Sequence, residues 1–316
     1  IAAVRPDDMH VHNFFPTLSP SIFDAADRLG IPSVMTLHNF RIVCPTAFLF
    51  LNGKVNERSL GSSTWWAVPH RVYRGSLVGT AVLCAVIEWH KWRGTWRRQP
   101  SVFVALTEFA KAKFAQAGLP AERFVVKQNA VIEPHEMESV ARSGALYVGR
   151  LSEEKGIELL MRAWRSIETS LTVVGSGPLE DLVRNRAVSM QVTPLGHLDR
   201  QGVEHRMRQA EFLVMPSVCY EMFPVTLAEA FSHGLPVIAS RLGSLAELVV
   251  DQETGLHFDH QDPDDLRRKV LWASDHPLEM REMGRRARKV YEERYSERVN
   301  VERLIEVYRG AGVTAQ

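Results

Sequence analysis

Short apolar runs bounded by Gly, Pro or Asn alternate with helix-length segments along nearly the whole chain. This alternation is typical of parallel β-sheets, because each strand must be followed by a crossover helix before the next strand can run in the same direction. The pattern predicts a doubly wound α/β fold. Predicted strands cover 9–12, 32–37, 101–106, 123–127, 144–149, 170–175, 191–195, 211–215 and 235–239. Predicted helices lie near 19–29, 70–98, 108–117, 155–167, 178–187, 200–209, 223–233, 244–250, 263–275, 279–294 and 296–309.

The length of 316 residues predicts two domains rather than one hydrophobic core. A polar stretch before residue 144 is the predicted linker between a first domain, 1–143, and a second domain, 144–299. The five strands after the linker can form a complete doubly wound sheet. The four strands before it lack an opening strand, phosphate-binding loop and helix, so the first domain is expected to be incomplete.

Composition excludes several classes of protein. With 38 Lys and Arg against 37 Asp and Glu, the net charge of +1 gives no reason to expect a nucleic-acid partner. The three cysteines lie far apart, which predicts neither a disulfide framework nor a zinc site and suits a reducing cytoplasm. The longest apolar stretch, near 77–87, is too short to cross a bilayer.

Two cations follow the first strand of the second half. In "VGRLSEEKGI", Gly149 ends the strand, and Arg150 and Lys155 lie across the turn that opens a helix. At the carboxyl end of a parallel strand, a guanidinium and an ammonium beside a helix N-terminus suit a diphosphate. The alternative interpretation is a solvated pair of loop charges.

The next loop, "LTVVGSGPLE", places Gly175 and Gly177 directly after a strand. A dinucleotide fingerprint would require a third glycine where Glu180 stands, so a dehydrogenase is weakly supported. Close approach of the backbone to a nucleotide or sugar is one interpretation of these glycines. A plain tight turn is the other.

The stretch "PSVCYEMFPVTLAEAFSHGLPVIAS", residues 216–240, sets Glu221 before a helix start and Glu229 inside the helix, about 9 Å further along its axis. The amides near Met222 and Phe223 lie where anions bind at a helix N-terminus. A nucleotide-sugar has hydroxyls at both ends and a diphosphate between them. Two carboxylates with N–H donors between them match that order, although two glutamates at this spacing are common by chance.

Two histidines, His12 and His38, each end a predicted strand in the first half. This position favours a ligand site, where a ring nitrogen binds a sugar hydroxyl or a phosphate oxygen. A structural hydrogen bond at a strand end is an equal alternative.

The predicted helix 70–98 is flanked by aromatic and basic residues, which suits a membrane surface or a lipid-linked acceptor. A buried helix with a basic end explains the same residues. The sequence "DPDDL" at 262–266 contains Asp-x-Asp, but Asp262 is expected to cap a helix, and no metal site is assigned.

The ordered series "GRLSEEKGIELL", "LTVVGSGPLE", residues 216–240 and "TGLHF" resembles glycosyltransferase family 4, the retaining enzymes of the GT-B fold. The resemblance extends into the first half through "HVHNFFP" and "TEFAKAKFAQAGL". It implies two Rossmann-like domains facing a cleft, the first on the acceptor side, with residues 300–316 crossing back to it. The opening strand and glycine-rich loop usual in relatives have no counterpart here.

The resemblance also implies roles for individual residues. Arg150 and Lys155 would neutralise the donor diphosphate, Glu221 would hold the transferred sugar, and His38 would lie near both. Glu229 would hold the ribose, with Gly149, Gly175, Gly177 and the amides of Met222, Phe223 and Val225 at the donor. His12 is an acceptor-side candidate. The family implies same-face attack and no metal or cofactor.

The hypothesis is a retaining glycosyltransferase that moves a sugar from a UDP- or GDP-sugar to a glycan or lipid-linked acceptor in polysaccharide biosynthesis. It is expected in the cytoplasm, with peripheral membrane contact through 70–98. One alternative is an epimerase or hydrolase of sugar nucleotides, for which Asp7, Asp8 and Asp24 are the early carboxylates. Another is a non-catalytic protein that binds nucleotide-sugars.

Overall fold

The computed structural model describes Val4 and residues 6–15, 18–134 and 141–312. The chain forms two compact units, one of Ile1–Asn129 with Asn300–Gln316 and one of Ala130–Val299. The division falls after Asn129 rather than after residue 143, because Val131 and Glu133 are bonded to residues of the second unit. The Val131 N–H donates to the Tyr295 carbonyl at 3.0 Å. Glu133 forms an ion pair with Arg288 at 2.6 Å.

The first unit contains a parallel sheet with the strand order β1-β2-β5-β6. Its strands are β1 (Met9–Val11), β2 (Ser33–Thr36), β5 (Val102–Ala105) and β6 (Phe124–Val126), all at predicted positions. A short antiparallel hairpin, β3 (Phe50–Leu51) and β4 (Lys54–Val55), was not predicted. The helices of this unit before residue 130 are α1 (Ser21–Arg28), α2 (Arg58–Gly61), α3 (Leu77–Trp92), α4 (Thr95–Arg98) and α5 (Glu108–Gln116).

The prediction of one helix over 70–98 is wrong at both ends. Helix α3 begins at Leu77 because the Ser76 hydroxyl caps it, accepting the Gly79 N–H at 3.1 Å. It ends at Trp92, and Gly94, with φ of 63°, separates it from α4. Within the described residues, no helix is both long and apolar enough to cross a membrane.

The last helix, α13 (Glu297–Gly310), packs on the first sheet. Its Val307 is buried with Val34 of β2 and with Val102 and Val104 of β5. Full burial of a side chain of this size contributes about 1.5–3 kcal/mol to the free energy of folding. This apolar contact joins the end of the chain to the core of the first unit.

The second unit contains a parallel sheet of six strands in the order β12-β11-β10-β7-β8-β9. Five strands were predicted, and the sixth, β12, lies in "TGLHF", where a glycine and a histidine interrupt the apolar pattern. The strands are β7 (Ala145–Val148), β8 (Leu171–Val174), β9 (Val192–Gly196), β10 (Phe212–Met215), β11 (Val237–Ser240) and β12 (Gly255–Phe258).

The helices of the second unit agree with the predicted ones. They are α6 (Ile157–Ala163), α7 (Glu180–Ala187), α8 (Arg200–Gln209), α9 (Val225–Ser232), α10 (Gly243–Leu248), α11 (Pro263–Asp275) and α12 (Pro277–Arg294). The strand order reverses between β7 and β10, which are neighbours in the sheet. Ligands of open α/β sheets bind beyond the carboxyl ends of the strands at such a point.

Candidate functional site

Three loops meet in close backbone contact beyond β7, β8 and β10. A Cβ added to Gly156 would lie 1.8 Å from the Pro216 carbonyl oxygen, and one added to Gly175 would lie 1.9 Å from the Gly149 oxygen. At Gly177 it would lie 2.5 Å from the Leu151 oxygen. These glycines let the backbones approach more closely than any side chain allows. Gly175 and Gly177 therefore have a local packing role, whether or not they also face a ligand.

Lys155 and Glu221 are brought together at this point. The Lys155 Nζ donates to Glu221 Oε1 at 2.6 Å, and the Ser217 hydroxyl donates to the same oxygen at 2.7 Å. The Ser217 carbonyl in turn accepts the Ser240 hydroxyl at 2.7 Å. Both contacts to Glu221, from Lys155 and from Ser217, use Oε1, so its second oxygen has no hydrogen-bond partner among the described residues.

The environment of this ion pair is largely dry. The side chains of Lys155 and Glu221 are 30% and 11% exposed. Burial lowers the pKa of Lys155, but the negative charge and hydrogen bond of Glu221 outweigh it, so that the pKa is raised. Burial and then Glu221 also raise the pKa of the nearby Cys219 thiol. Lys155 is therefore a permanent cation and Cys219 an inert thiol near neutral pH.

Arg150 extends from the loop after β7. Its carbonyl accepts the Tyr147 hydroxyl at 2.9 Å, which fixes the backbone of the loop. The Arg150 side chain is exposed, and its guanidinium has no hydrogen-bond or ion-pair partner among the described residues. Burial, Glu221 and Glu154 all raise the pKa of Tyr147, which places the Arg150 loop beside the same acidic group. Of the two predicted cations, Arg150 is thus unpaired among the described residues, and Lys155 is paired with Glu221.

The turn before α9 presents unpaired amides. Met222 and Phe223 are buried, and Val225 is the first residue of α9, with Pro224 as its N-cap. Within the described part of the chain, the N–H groups of Met222, Phe223 and Val225 donate to no protein acceptor. Unlike Met222 and Phe223, Val225 is exposed, and N–H groups that lack a protein acceptor at the start of a helix are available to an anion or a hydroxyl.

Glu229 lies on α9 and faces α8. It is only partly exposed, and its carboxylate accepts no hydrogen bond from the described residues. Burial raises its pKa, the nearby Arg200 lowers it, and Glu204 raises it again, with a net upward shift. Its nearest charged groups are thus those of α8, and no contact among the described residues joins it to Glu221. The pattern is that of a carboxylate with unused acceptor capacity.

In the first unit, the two predicted histidines are hydrogen-bonded to each other. His12 Nδ1 lies 2.9 Å from His38 Nε2, and the rings stack at 5.2 Å. Burial is the largest cause that lowers the pKa of both histidines, followed by Lys127 for His12 and by His12 and then Lys127 for His38. A neutral imidazole has one N–H and one acceptor nitrogen. Whichever ring donates in the shared bond, the outer nitrogens of the pair supply one donor and one acceptor.

Sequence reasoning missed three residues that contact the predicted site residues, one in the first unit and two in the second. His10 lies 2.8 Å from both the Tyr308 hydroxyl and Thr36 Oγ1, and burial lowers its pKa to about 4. Its spacing of two from His12 puts both on one face of β1, a signal that was available. Tyr147 and Ser217 had no such signal, because their partners lie in the folded loops.

The Asp-x-Asp sequence has the predicted capping role. Asp262 Oδ1 accepts the N–H groups of Asp264 and Asp265 at 2.9 and 3.1 Å, which caps α11. Across the described ranges, no group of three or more His, Cys, Asp or Glu side chains is arranged to hold a metal ion.

Comparison with known proteins identifies the class of the fold. The structure aligns with that of Anabaena HepE in complex with UDP at a TM-score of 0.71, with 17% identity, covering 95% of this chain and 79% of that one. Sucrose-phosphate synthase of Thermosynechococcus elongatus aligns at a TM-score of 0.70 with 20% identity, over 96% and 73% of the two chains. The predicted GT-B fold is confirmed.

Sequence comparison then gives the relatives of this chain. Residues 139–290 match the model of the glycosyl transferases group 1. An uncharacterized glycosyltransferase of Methanocaldococcus jannaschii is 33% identical over 40% of this chain, but the match spans only 36% of that relative. The alpha-D-kanosaminyltransferase of Streptomyces kanamyceticus is 24% identical over 95% of this chain and 74% of its own length. The chain is thus related to the group 1 glycosyl transferases through residues 139–290.

Proposed function

We propose that the protein is a retaining glycosyltransferase of family 4, which transfers a sugar from a nucleotide-diphosphate sugar to a glycan or lipid-linked acceptor. The supporting observation is that the loop after β7 carries both the free Arg150 and Lys155, which pairs with Glu221 beyond the switch point of the second sheet. The Anabaena neighbour was solved with UDP, which supports a nucleotide donor. Arg150, Lys155 and Glu221 all lie within residues 139–290, the range that matches the group 1 model.

In this proposal, the cations act on the leaving group. Cleavage of the bond between sugar and phosphate leaves a negative charge on the departing diphosphate. Arg150 is free to bind it in a bidentate manner, and Lys155 retains two N–H donors beyond its bond to Glu221. Fixed positive groups that meet a developing charge lower the barrier without reorganising.

The carboxylates hold the two ends of the donor. The free oxygen of Glu221 accepts hydroxyls of the transferred sugar, while the amides of Met222, Phe223 and Val225 donate to its oxygens or to phosphate. Glu229 accepts the ribose hydroxyls. A phosphate oxygen of the donor accepts the proton of the attacking hydroxyl on the same face, so neither a protein nucleophile nor a resident metal or cofactor is required. His12 and His38 bind hydroxyls on the acceptor side and beside the transferred sugar.

Calorimetry of the whole chain with UDP-glucose and GDP-mannose tests donor binding. We expect micromolar binding of one nucleotide class and a loss of about 1.5–3 kcal/mol, or roughly 10- to 150-fold, in Arg150→Ala. Arg162→Ala is the matched control, since it removes an exposed arginine from α6 of the same unit. Absence of binding to either nucleotide class, or equal losses in the two variants, contradicts the donor site.

Product analysis separates the proposed reaction from its alternatives. A transferase releases nucleoside diphosphate in proportion to a new glycosidic bond, whose anomeric configuration by NMR matches that of the donor. An epimerase changes the nucleotide-sugar itself, and a hydrolase releases free sugar. A protein that only binds shows affinity without turnover, and activity that persists in EDTA agrees with a metal-independent reaction.

We further propose that the protein acts at the cytoplasmic face of a membrane, through α3. One stripe of this helix is apolar and exposed: Val78 at 69%, Val82 at 59%, Trp89 at 52% and Trp92 at 77%. Helical spacing places these side chains within a quarter of the helix circumference, opposite the buried Ile87. Exposed arginines adjoin its carboxyl end at Arg93, Arg97 and Arg98.

Apolar side chains bordered by cations favour an anionic lipid surface. We expect the protein to cosediment with vesicles of phosphatidylglycerol and less with phosphatidylcholine alone. Trp89→Ser combined with Trp92→Ser should reduce the bound fraction several-fold. Trp65→Ser is the control, because Trp65 is 47% exposed but lies outside the stripe. If both variants bind vesicles like the wild type, the stripe is not the contact surface.

A further inference from the structure

A small pocket in the first unit has polar and apolar walls, and none of the described residues that line it is Asp or Glu. Its volume is about 200 Å³, and its polar lining comes from His12, Asn13, His38, Asn39 and Arg41. The remaining walls are apolar. A pocket without Asp or Glu that collects a guanidinium, two imidazoles and two amides is suited to an anion.

Arg41 is held in place without neutralisation of its charge. Its guanidinium lies 5.7 Å from the centre of the Phe15 ring and 5.8 Å from that of Tyr73. One of its nitrogens, Nη1, donates to the Pro45 carbonyl. No described carboxylate pairs with it, and burial lowers its pKa. Two aromatic rings and one carbonyl orient the Arg41 guanidinium, and its positive charge remains available to an anionic partner.

A second cation, Lys127, has no ion-pair partner among the described residues and adds to the positive potential. Lys127 is buried and donates to the Gln128 carbonyl at 3.2 Å and to Asn300 Oδ1 at 2.8 Å, neither of which is charged. Its charge lowers the pKa of both His12 and His38. The same field that disfavours a proton on these imidazoles favours an anion beside them.

We propose that this pocket binds an anionic group of the acceptor, a phosphate or a carboxylate, with Arg41 as the residue that selects it. The inference rests on the proposed glycosyl transfer, which requires an acceptor. The donor diphosphate has its own cations, Arg150 and Lys155, in the second unit. A pocket of about 200 Å³ also accommodates one acidic substituent rather than a whole nucleotide-sugar.

Titration of the 316-residue chain with inorganic phosphate tests the pocket directly. The readout is the ring C–H signals of His12 and His38 in NMR spectra at constant pH, assigned with His12→Gln and His38→Gln. We expect both signals to shift with a Kd in the millimolar range. In Arg41→Gln this Kd should rise at least tenfold, and in Arg41→Lys, which keeps a point charge, it should rise severalfold.

Arg74→Gln is the matched control, since Arg74 contacts the Tyr73 ring at 5.3 Å but does not line the pocket. It should bind phosphate like the wild type. Saturating UDP should leave the titration unchanged, and displacement of phosphate by UDP would assign the pocket to the donor and overturn the proposal. Histidine signals unmoved by phosphate, or an unchanged Kd in both Arg41 variants, would overturn it as well.

This experiment is independent of the donor site. If no nucleotide binds but phosphate shifts the histidine signals through Arg41, the proposed transfer fails and the anion pocket stands. If nucleotides bind but phosphate does not shift these signals, the anion pocket fails and the proposed donor site stands. With an active acceptor in hand, Arg41→Gln should raise KM for acidic acceptors and leave KM for the donor unchanged.

Discussion

The coupling between Lys155 and Glu221 can be measured as a free energy. Their atoms lie 2.6 Å apart, and two unit charges at that distance attract by about 6 kcal/mol at an effective dielectric constant near 20. Desolvation of both groups cancels much of this attraction. Because Lys155 is still 30% exposed and Glu221 is 11% exposed, we expect a net coupling of about 1–3 kcal/mol.

The test is a double-mutant cycle of Lys155→Met and Glu221→Gln in differential scanning calorimetry. Each single variant leaves its partner unneutralised, so each should lower the unfolding temperature of the second unit. About 2–4 °C corresponds to 1 kcal/mol for a domain of this size. The double variant should lose less than the sum of the single losses.

The surface pair Arg184–Glu180 is the control for this cycle. Its atoms are also 2.6 Å apart, but its side chains are 63% and 31% exposed, so a coupling of only about 0.3–0.5 kcal/mol is expected. Equal couplings in the two cycles would refute the argument that burial strengthens the Lys155 pair. The argument would also be refuted if the losses of the two single variants sum to the loss of the double variant within about 0.5 kcal/mol.

Two other predictions concern the second unit. Gly156→Ala should cost about 2–4 kcal/mol of unfolding free energy, because φ is 72° and the added Cβ meets the Pro216 oxygen at 1.8 Å. Urea titration of both variants measures these costs. Gly118→Ala is the control, since Gly118 has φ of 89° but open space around it, and it should cost only about 1–2 kcal/mol. Equal costs would contradict a role for the contact between position 156 and the Pro216 oxygen. Burial raises the pKa of Glu229, so the native state keeps a proton that the unfolded chain has lost. Its contribution to stability should therefore fall as pH rises through the interval between the unfolded and native values, and Glu229→Gln should abolish that fall in unfolding measured between about pH 4 and 7. If the variant and the wild type have the same pH profile of stability, the pKa of Glu229 is not raised in the native state.

Much of the fold could be predicted from sequence because strand and helix periodicities are local. The strands near 101–106 and 211–215, for example, are short apolar runs with clear boundaries, and both are present. The errors occur where a local signal is weak or ambiguous. Strand β12 lacks an apolar run, and the buried face of α3 does not by itself reveal that its other face is also apolar and exposed.

The sequence by itself determined the α/β class, the glycine-rich turns and the residues after each strand that bear charge. Only the tertiary structure decided their partners. Lys155 and Glu221 are far apart in the chain, and they meet because the sheet places β7 beside β10. His12 and His38 share a hydrogen bond because β1 pairs with β2. Strand order depends on the packing of crossover connections and of their buried apolar faces, which is a property of the whole chain, so local periodicity does not specify it.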